Sequence, residues 1–101
     1  MSEKRWVLIG NENYGLYIGR TDESDESIVA RRAVRLEDCR HVARWYGRTG
    51  GITSLAAHGP CGPSAQDSRV GAPCGALLTG IVNVFDLSAE AVAAFSSIVA
   101  A

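Results

Sequence analysis

Residues 44–59, RWYGRTGGITSLAAHG, gather the side chains of this chain best suited to holding a phosphorylated ligand. Arg44 and Arg48 offer planar guanidinium forks that match phosphate oxygens, and Trp45 or Tyr46 offers a ring face for a base. Gly50 and Gly51 stand directly before a stretch of helical character. A glycine turn at a helix start aims unpaired amides at one spot and lets the main chain approach an anion closely. Thr49 or Thr53 could cap that helix and also bond a phosphate oxygen. These are the parts of a nucleotide site. The segment matches no Walker or dinucleotide pattern, and a plain turn, a glycine-rich helix entry and a core tryptophan account for the same residues.

Other chemistry is less well supplied. In QDSRVG, residues 66–71, Ser68 and Arg69 could close over a bound anion, or Arg69 could be an exposed loop arginine. Cys39, His41, His58, Cys61 and Cys74 are five soft donors, but their spacings fit no standard zinc finger or ribbon. Small buried thiols and surface histidines are the alternative, and no metal or cofactor is expected. Cys61 near His58 is the only local nucleophile–base option. The acids cluster in the Asp22–Glu26 tip and supply no acid pair for a cleft, so nothing demands an enzyme.

Charge narrows the ligand. The formal net charge of −1 hides a segregation: residues 31–69 carry seven arginines against Glu37, Asp38 and Asp67. Residues 1–30 carry three basic and six acidic side chains. There is no lysine-rich face for a nucleic acid polymer. A confined arginine patch suits a small anionic nucleotide better.

The elements that must position these groups follow from periodicity. The 101 residues make one domain, 1–101, with an apolar share of 47 % and a charged share of 21 %, ordinary for a soluble protein. KRWVLIG (4–10) reads as a strand, NENYG as turn residues, and YGLYIGRT (14–21) as a half-buried strand completing a hairpin. DESDES (22–27) reads as a solvated acidic loop, SIVARRAVRL (27–36) as a third strand, and HVARWY as a fourth, with Glu37–Cys39 turning into it. ITSLAAH (52–58) is helical and closed by Gly59. Residues 60–75 form a long loop with all three prolines. ALLTGIVNVFDL (76–87) is the last strand, with Gly80 as a bulge or close-approach point. SAEAVAAFSSIVAA (88–101) is a closing helix with Ser88 as N-cap. The fold expected is α+β: a small antiparallel β-sheet with a short central helix and a C-terminal helix. The odd cysteine count predicts free thiols, and no apolar run approaches a membrane span or a signal peptide, so a cytoplasmic protein is expected.

The order YGLYIGRT, CRHVARWYG, TGGITSLAAHG, a loop SR, then LLTGIVNVFDLSAEAVAAF resembles a family of small phage proteins, the first-described class of anti-Thoeris sponges. The resemblance runs from about Val7 to Ile98. It implies a non-catalytic protein that binds and hides the cyclic ADP-ribose isomers made by bacterial TIR-domain enzymes. It also implies a homo-oligomer, dimers assembling into hexamers with pockets between protomers, and uptake of cyclic di- or trinucleotides from the CBASS defence at separate sites. Such proteins carry paired arginines before an aromatic run. Here Arg40 and His41, then Arg44, occupy that neighbourhood. The residues expected to bind ligand are therefore Arg40, Arg44, Trp45, Arg48, Thr49, Gly50, Gly51 and Arg69. The alternative is a small structural or interaction module, using the apolar final helix and Trp6 or Trp45 as a protein contact.

Overall fold

The computed structural model describes residues 4–12, 15–45, 51–60 and 68–98. Val7, Leu8 and Ile9 are all fully buried, although successive side chains of a strand point to opposite faces. Both faces of this strand are therefore covered. Val7 and Ile9 join Ile28, Val34, Leu36, Cys39 and Ile81 in one core. Leu8 joins Ile18, Val42, Leu55, Val70 and Phe95 in another.

That strand, β1 (Arg5–Asn11), pairs antiparallel with β2 (Leu16–Thr21), the expected hairpin. The chain then departs from the acidic loop and third strand expected over 22–36. Residues Asp25–Arg31 form a helix, α1, with Ser24 as N-cap accepting from the Ser27 amide at 3.1 Å. Asp25 and Glu26 sit in its first turn and Arg31 in its last, which suits the helix dipole. Ile28 anchors it in the first core. Arg32, at φ 50°, ends it. The acids read as a solvated tip are thus a helix start, with Asp25 and Glu23 also paired to Arg5 and Arg31.

One long strand, β3 (Ala33–Arg44), replaces the two strands expected over 27–47. Glu37–Cys39 do not turn the chain. They form a bulge, with Asp38 at φ 51°, and the register shifts there against both neighbours. Next come α2 (Gly51–His58), ended by Gly59 at φ 72°, and a two-residue strand β4 (Arg69–Val70) opposite the end of β3. The loop expected over 60–75 therefore contains a strand; residues 61–67 lie outside the described set.

The expected single strand over 76–87 is two, β5 (Cys74–Thr79) and β6 (Ile81–Asp86). Gly80, at φ 65°, redirects the chain between them. β5 pairs with β3 while β6 pairs with β1, and the strand path is β4-β3-β2-β1-β6. Two strands joined by one residue thus lie on different edges, so the antiparallel six-stranded sheet curls until those edges converge at Gly80. α1 and the first core fill that curl.

The closing helix, α3 (Ala89–Ser96), starts as expected at Ser88, whose Oγ accepts from the Ala91 amide at 3.0 Å. Ser88 also ties α3 to α2: its amide donates to Ala56 O at 3.1 Å and its hydroxyl donates to Ala57 O. Together α2 and α3 cover the second core. The fold is α+β, with the central and C-terminal helices expected and α1 in addition.

Candidate functional site

The antiparallel pairing brings five element ends to one end of the sheet: the finish of β1, the start of β2, the start of β6, the residue after β3 and the first turn of α2. A cavity of about 510 Å³ lies among them. Leu16, Trp45, Ile52 and Val82 supply its apolar walls, and Gly10 and Gly15 its main-chain ones. Asn11, Glu12 and Asn83 are its polar members.

Each polar residue is placed by a local irregularity. The β1–β6 register shifts between Gly10 and Asn11. Asn11 Oδ1 accepts from the Gly15 amide at 2.9 Å and the Asn11 amide donates to Gly15 O at 3.1 Å, which closes the hairpin. The Glu12 amide donates to Gly80 O at 2.9 Å, and its carboxylate lies 3.5 Å from the Arg32 guanidinium, both exposed. Asn83 interrupts the apolar run of β6, and its side chain has no hydrogen-bond partner among the described residues. Trp45 is half-buried, one side on the second core and the other on the cavity.

An aromatic face, three aliphatic walls, two amides and a carboxylate form a slot for a planar, hydrogen-bonding group. The volume falls in the range of small-molecule sites, about 300–1,000 Å³. The lining contains no arginine.

The described arginines other than Arg35 fall into three groups. Arg5, Arg20, Arg31 and Arg32 pair with acids. Asp25 is the main reason the Arg5 guanidinium holds its proton more tightly than usual. Arg40 was expected to bind ligand, but its guanidinium is turned inward. Nε donates to Gly71 O at 2.7 Å, Nη1 to Phe95 O at 2.9 Å, and Nη2 to Ile98 O at 2.9 Å and Val70 O at 3.5 Å. Phe95 and Ile98 sit at the carboxyl end of α3, which has no basic residue in its own last turn. Arg40 supplies that charge from the neighbouring strand. Burial lowers its pKa from the ordinary arginine value.

Arg44 and Arg69 are the third group. Their Cα positions are register partners at the end of the β3–β4 pair. Among the described residues Arg69 makes no ion pair. Arg44 immediately precedes Trp45, so the opposed pair adjoins the cavity wall in the chain. Gly51 opens α2 at φ 68°, with open space where a Cβ would stand. Arg48, Thr49 and Gly50 lie outside the described residues. Of the expected set, strand register sets Arg69 opposite Arg44, Arg44 precedes Trp45 in the chain, and Arg40 is set apart. It adds Asn11, Glu12 and Asn83. Asn83, an amide within IVNVF, was the one of these with a sequence signal.

The remaining candidates are engaged elsewhere. His41 stacks on Tyr17 with ring centroids 4.9 Å apart, and His58 Nδ1 meets Glu90 Oε2 at 2.8 Å. Cys61 lies outside the described residues. Among the described residues no three of His, Cys, Asp and Glu converge on one point. No described helix is long and apolar enough to cross a membrane. In the stripe of α3, Ala91 and Phe95 are buried within the chain, and Trp6 has the Arg20 guanidinium 5.8 Å from its ring centre.

A family model described as "Domain of unknown function (DUF6948)" matches residues 4–95. No curated protein and no solved structure matches the chain.

Proposed function

We propose that this chain, which belongs to the DUF6948 family, binds and sequesters a nucleotide immune signal of the cyclic ADP-ribose type without cleaving it. The observation that carries the reading is the Trp45-walled cavity beginning one residue after the opposed Arg44 and Arg69. The base enters the slot against the Trp45 indole, and Asn11 and Asn83 read its edge. Glu12 accepts from ribose hydroxyls. Arg44 and Arg69, opposite each other in strand register, act as guanidinium forks for the pyrophosphate oxygens. Holding a messenger away from its effector needs affinity alone, and this reading assigns no residue a nucleophilic or acid–base role.

The same proposal makes the protein a cytoplasmic phage protein that blocks Thoeris signalling, and CBASS signalling where it also takes cyclic di- or trinucleotides. It acts as a homo-oligomer, dimers assembled into hexamers. An assembled state would cover the exposed apolar Val29, Leu77 and Val82, 56–70 % accessible. The second reading, an interaction module without a nucleotide, would cover them equally.

Thermal melting against glycocyclic and linear ADP-ribose, cyclic dinucleotides and cyclic trinucleotides separates the two. A rise of about 10 °C or more is expected with ligand at a hundred times Kd, the equivalent of about 2.7 kcal/mol, with the ligand recovered unaltered after denaturation. Arg69→Ala should weaken binding at least about tenfold, the equivalent of about 1.4 kcal/mol, without lowering the melting temperature of the free protein. No shift with any nucleotide leaves the interaction module, and a chemically altered ligand makes the protein an enzyme.

A further inference from the structure

Cys39 and Cys74 face each other across the β3–β5 pair, and both are free thiols. The bulge creates this match. Leu36 opposes Ala76, so an unbroken ladder would set Asp38 against Cys74; the extra residue at the bulge puts Cys39 there instead. Directly opposed residues in an antiparallel pair lie about 4.5–5.5 Å apart at Cα, inside the roughly 4.4–6.8 Å that a disulfide spans.

The two thiols meet different surroundings. Cys39 is 3 % accessible and Cys74 is exposed. Burial, with a smaller contribution from Cys74, pushes the Cys39 thiol up to about 11. Such a thiol is a poor first target for an oxidant. Cys74, reachable from solvent, is the one an oxidant meets.

We infer that Cys39 and Cys74 form an oxidation site, with Cys74 the residue attacked and Cys39 the residue that resolves it into a cross-strand disulfide. The oxidant is a hydroperoxide. The Cys74 thiol displaces the distal oxygen of hydrogen peroxide, giving Cys74 sulfenic acid and one water. The Cys39 sulfur then attacks the Cys74 sulfur, the S–O bond breaks, and the hydroxyl leaves with the Cys39 proton as a second water. Two thiols are oxidised by two electrons in all, and one peroxide is reduced.

The bond would close a loop running from Arg40 to Pro73. That loop contains Arg44, Trp45, α2 and Arg69. Cross-linking it restricts the unfolded chain and fixes β5 to the strand that carries Trp45 at its end. The inference stands on the strand register and does not need a nucleotide ligand.

The test is hydrogen peroxide treatment of the full chain and of Cys61→Ser, which holds only these two thiols, followed by denaturing mass spectrometry. The expected result is loss of two hydrogens per chain, a Cys39–Cys74 linked peptide, a raised melting temperature and full reversal by dithiothreitol. Cys74→Ser should abolish the change. Cys61→Ser with Cys39→Ala should leave a Cys74 sulfenic acid that dimedone traps; should that variant not fold, Cys61→Ser with Cys74→Ser decides the point, because the changed site is exposed and the remaining Cys39 should gain no dimedone adduct. Chains linked to each other through Cys74, or Cys74 sulfinic acid with Cys39 still free, would overturn the inference.

Discussion

Gly51 and Gly59 bracket α2 with nearly the same backbone angle, φ 68° and 72°, and opposite surroundings. A Cβ on Gly51 would meet nothing within 4 Å, whereas one on Gly59 would stand 2.7 Å from Ala94 Cβ and 3.1 Å from Ala91 O. Strand β3 repeats the contrast. Arg40 is bound on α3 carbonyls, while Trp45, the residue after the strand, borders a cavity. One end of α2 is closed on α3 and serves stability. The other is open and has room for a ligand. Residue type does not tell the ends apart; partners do.

Arg40→Ala is the strongest way to break this comparison. It would strip donors from the carbonyls of Gly71, Phe95 and Ile98 and remove the charge at the end of α3. Hydrogen bonds to charged groups contribute about 1.5–3 kcal/mol each, and water restores part of the loss, so a destabilisation of about 4 kcal/mol is expected in urea unfolding. Arg40→Lys should recover only part, because an ammonium lacks the planar fork that reaches three carbonyls at once. A variant as stable as the parent but unable to bind nucleotide would return Arg40 to the ligand site and erase the distinction.

Gly59→Ala comes next. The left-handed angle costs an alanine about 1–2 kcal/mol, and crowding against Ala94 and the Ala91 carbonyl adds about 1–3. A loss of about 3 kcal/mol is expected, with ligand affinity unchanged once folding is allowed for. A loss below about 1 kcal/mol would mean that α2 and α3 can separate at little cost.

The same distinction explains what was legible in the sequence. The hairpin, α2 with its glycine end and the Ser88 cap were legible because period and cap chemistry are local. α1 carried a comparable signal in Ser24, Asp25, Glu26 and Arg31, but its acids suggested a solvated tip and Ile28 is its only buried residue. The division of 76–87 was hidden because both halves are apolar, and only the positive φ at Gly80 separates them. The arginine patch was legible as composition and not as geometry. Whether the Arg40 guanidinium meets carbonyls of α3 depends on residues more than fifty positions away. The cavity was half legible. Trp45 stood out as an aromatic beside arginines, whereas Asn11 and Glu12 looked like turn residues until a register shift carried them to its wall.

Gly51 gives the smallest effect and the sharpest control. With nothing within 4 Å, an added side chain there meets only the left-handed angle, so Gly51→Ala should cost about 1 kcal/mol. Gly51→Asn should cost less, because asparagine visits that region more readily than alanine does. Measured beside Gly59→Ala in the same unfolding series, the pair removes the contribution of φ and leaves the difference in packing. Equal losses would mean the two ends of α2 are equally closed, and the cavity would then lack the open approach that binding requires. A small loss at Gly51 joined to weaker nucleotide affinity would instead place ligand against the main chain at the start of α2, where a Cβ obstructs it.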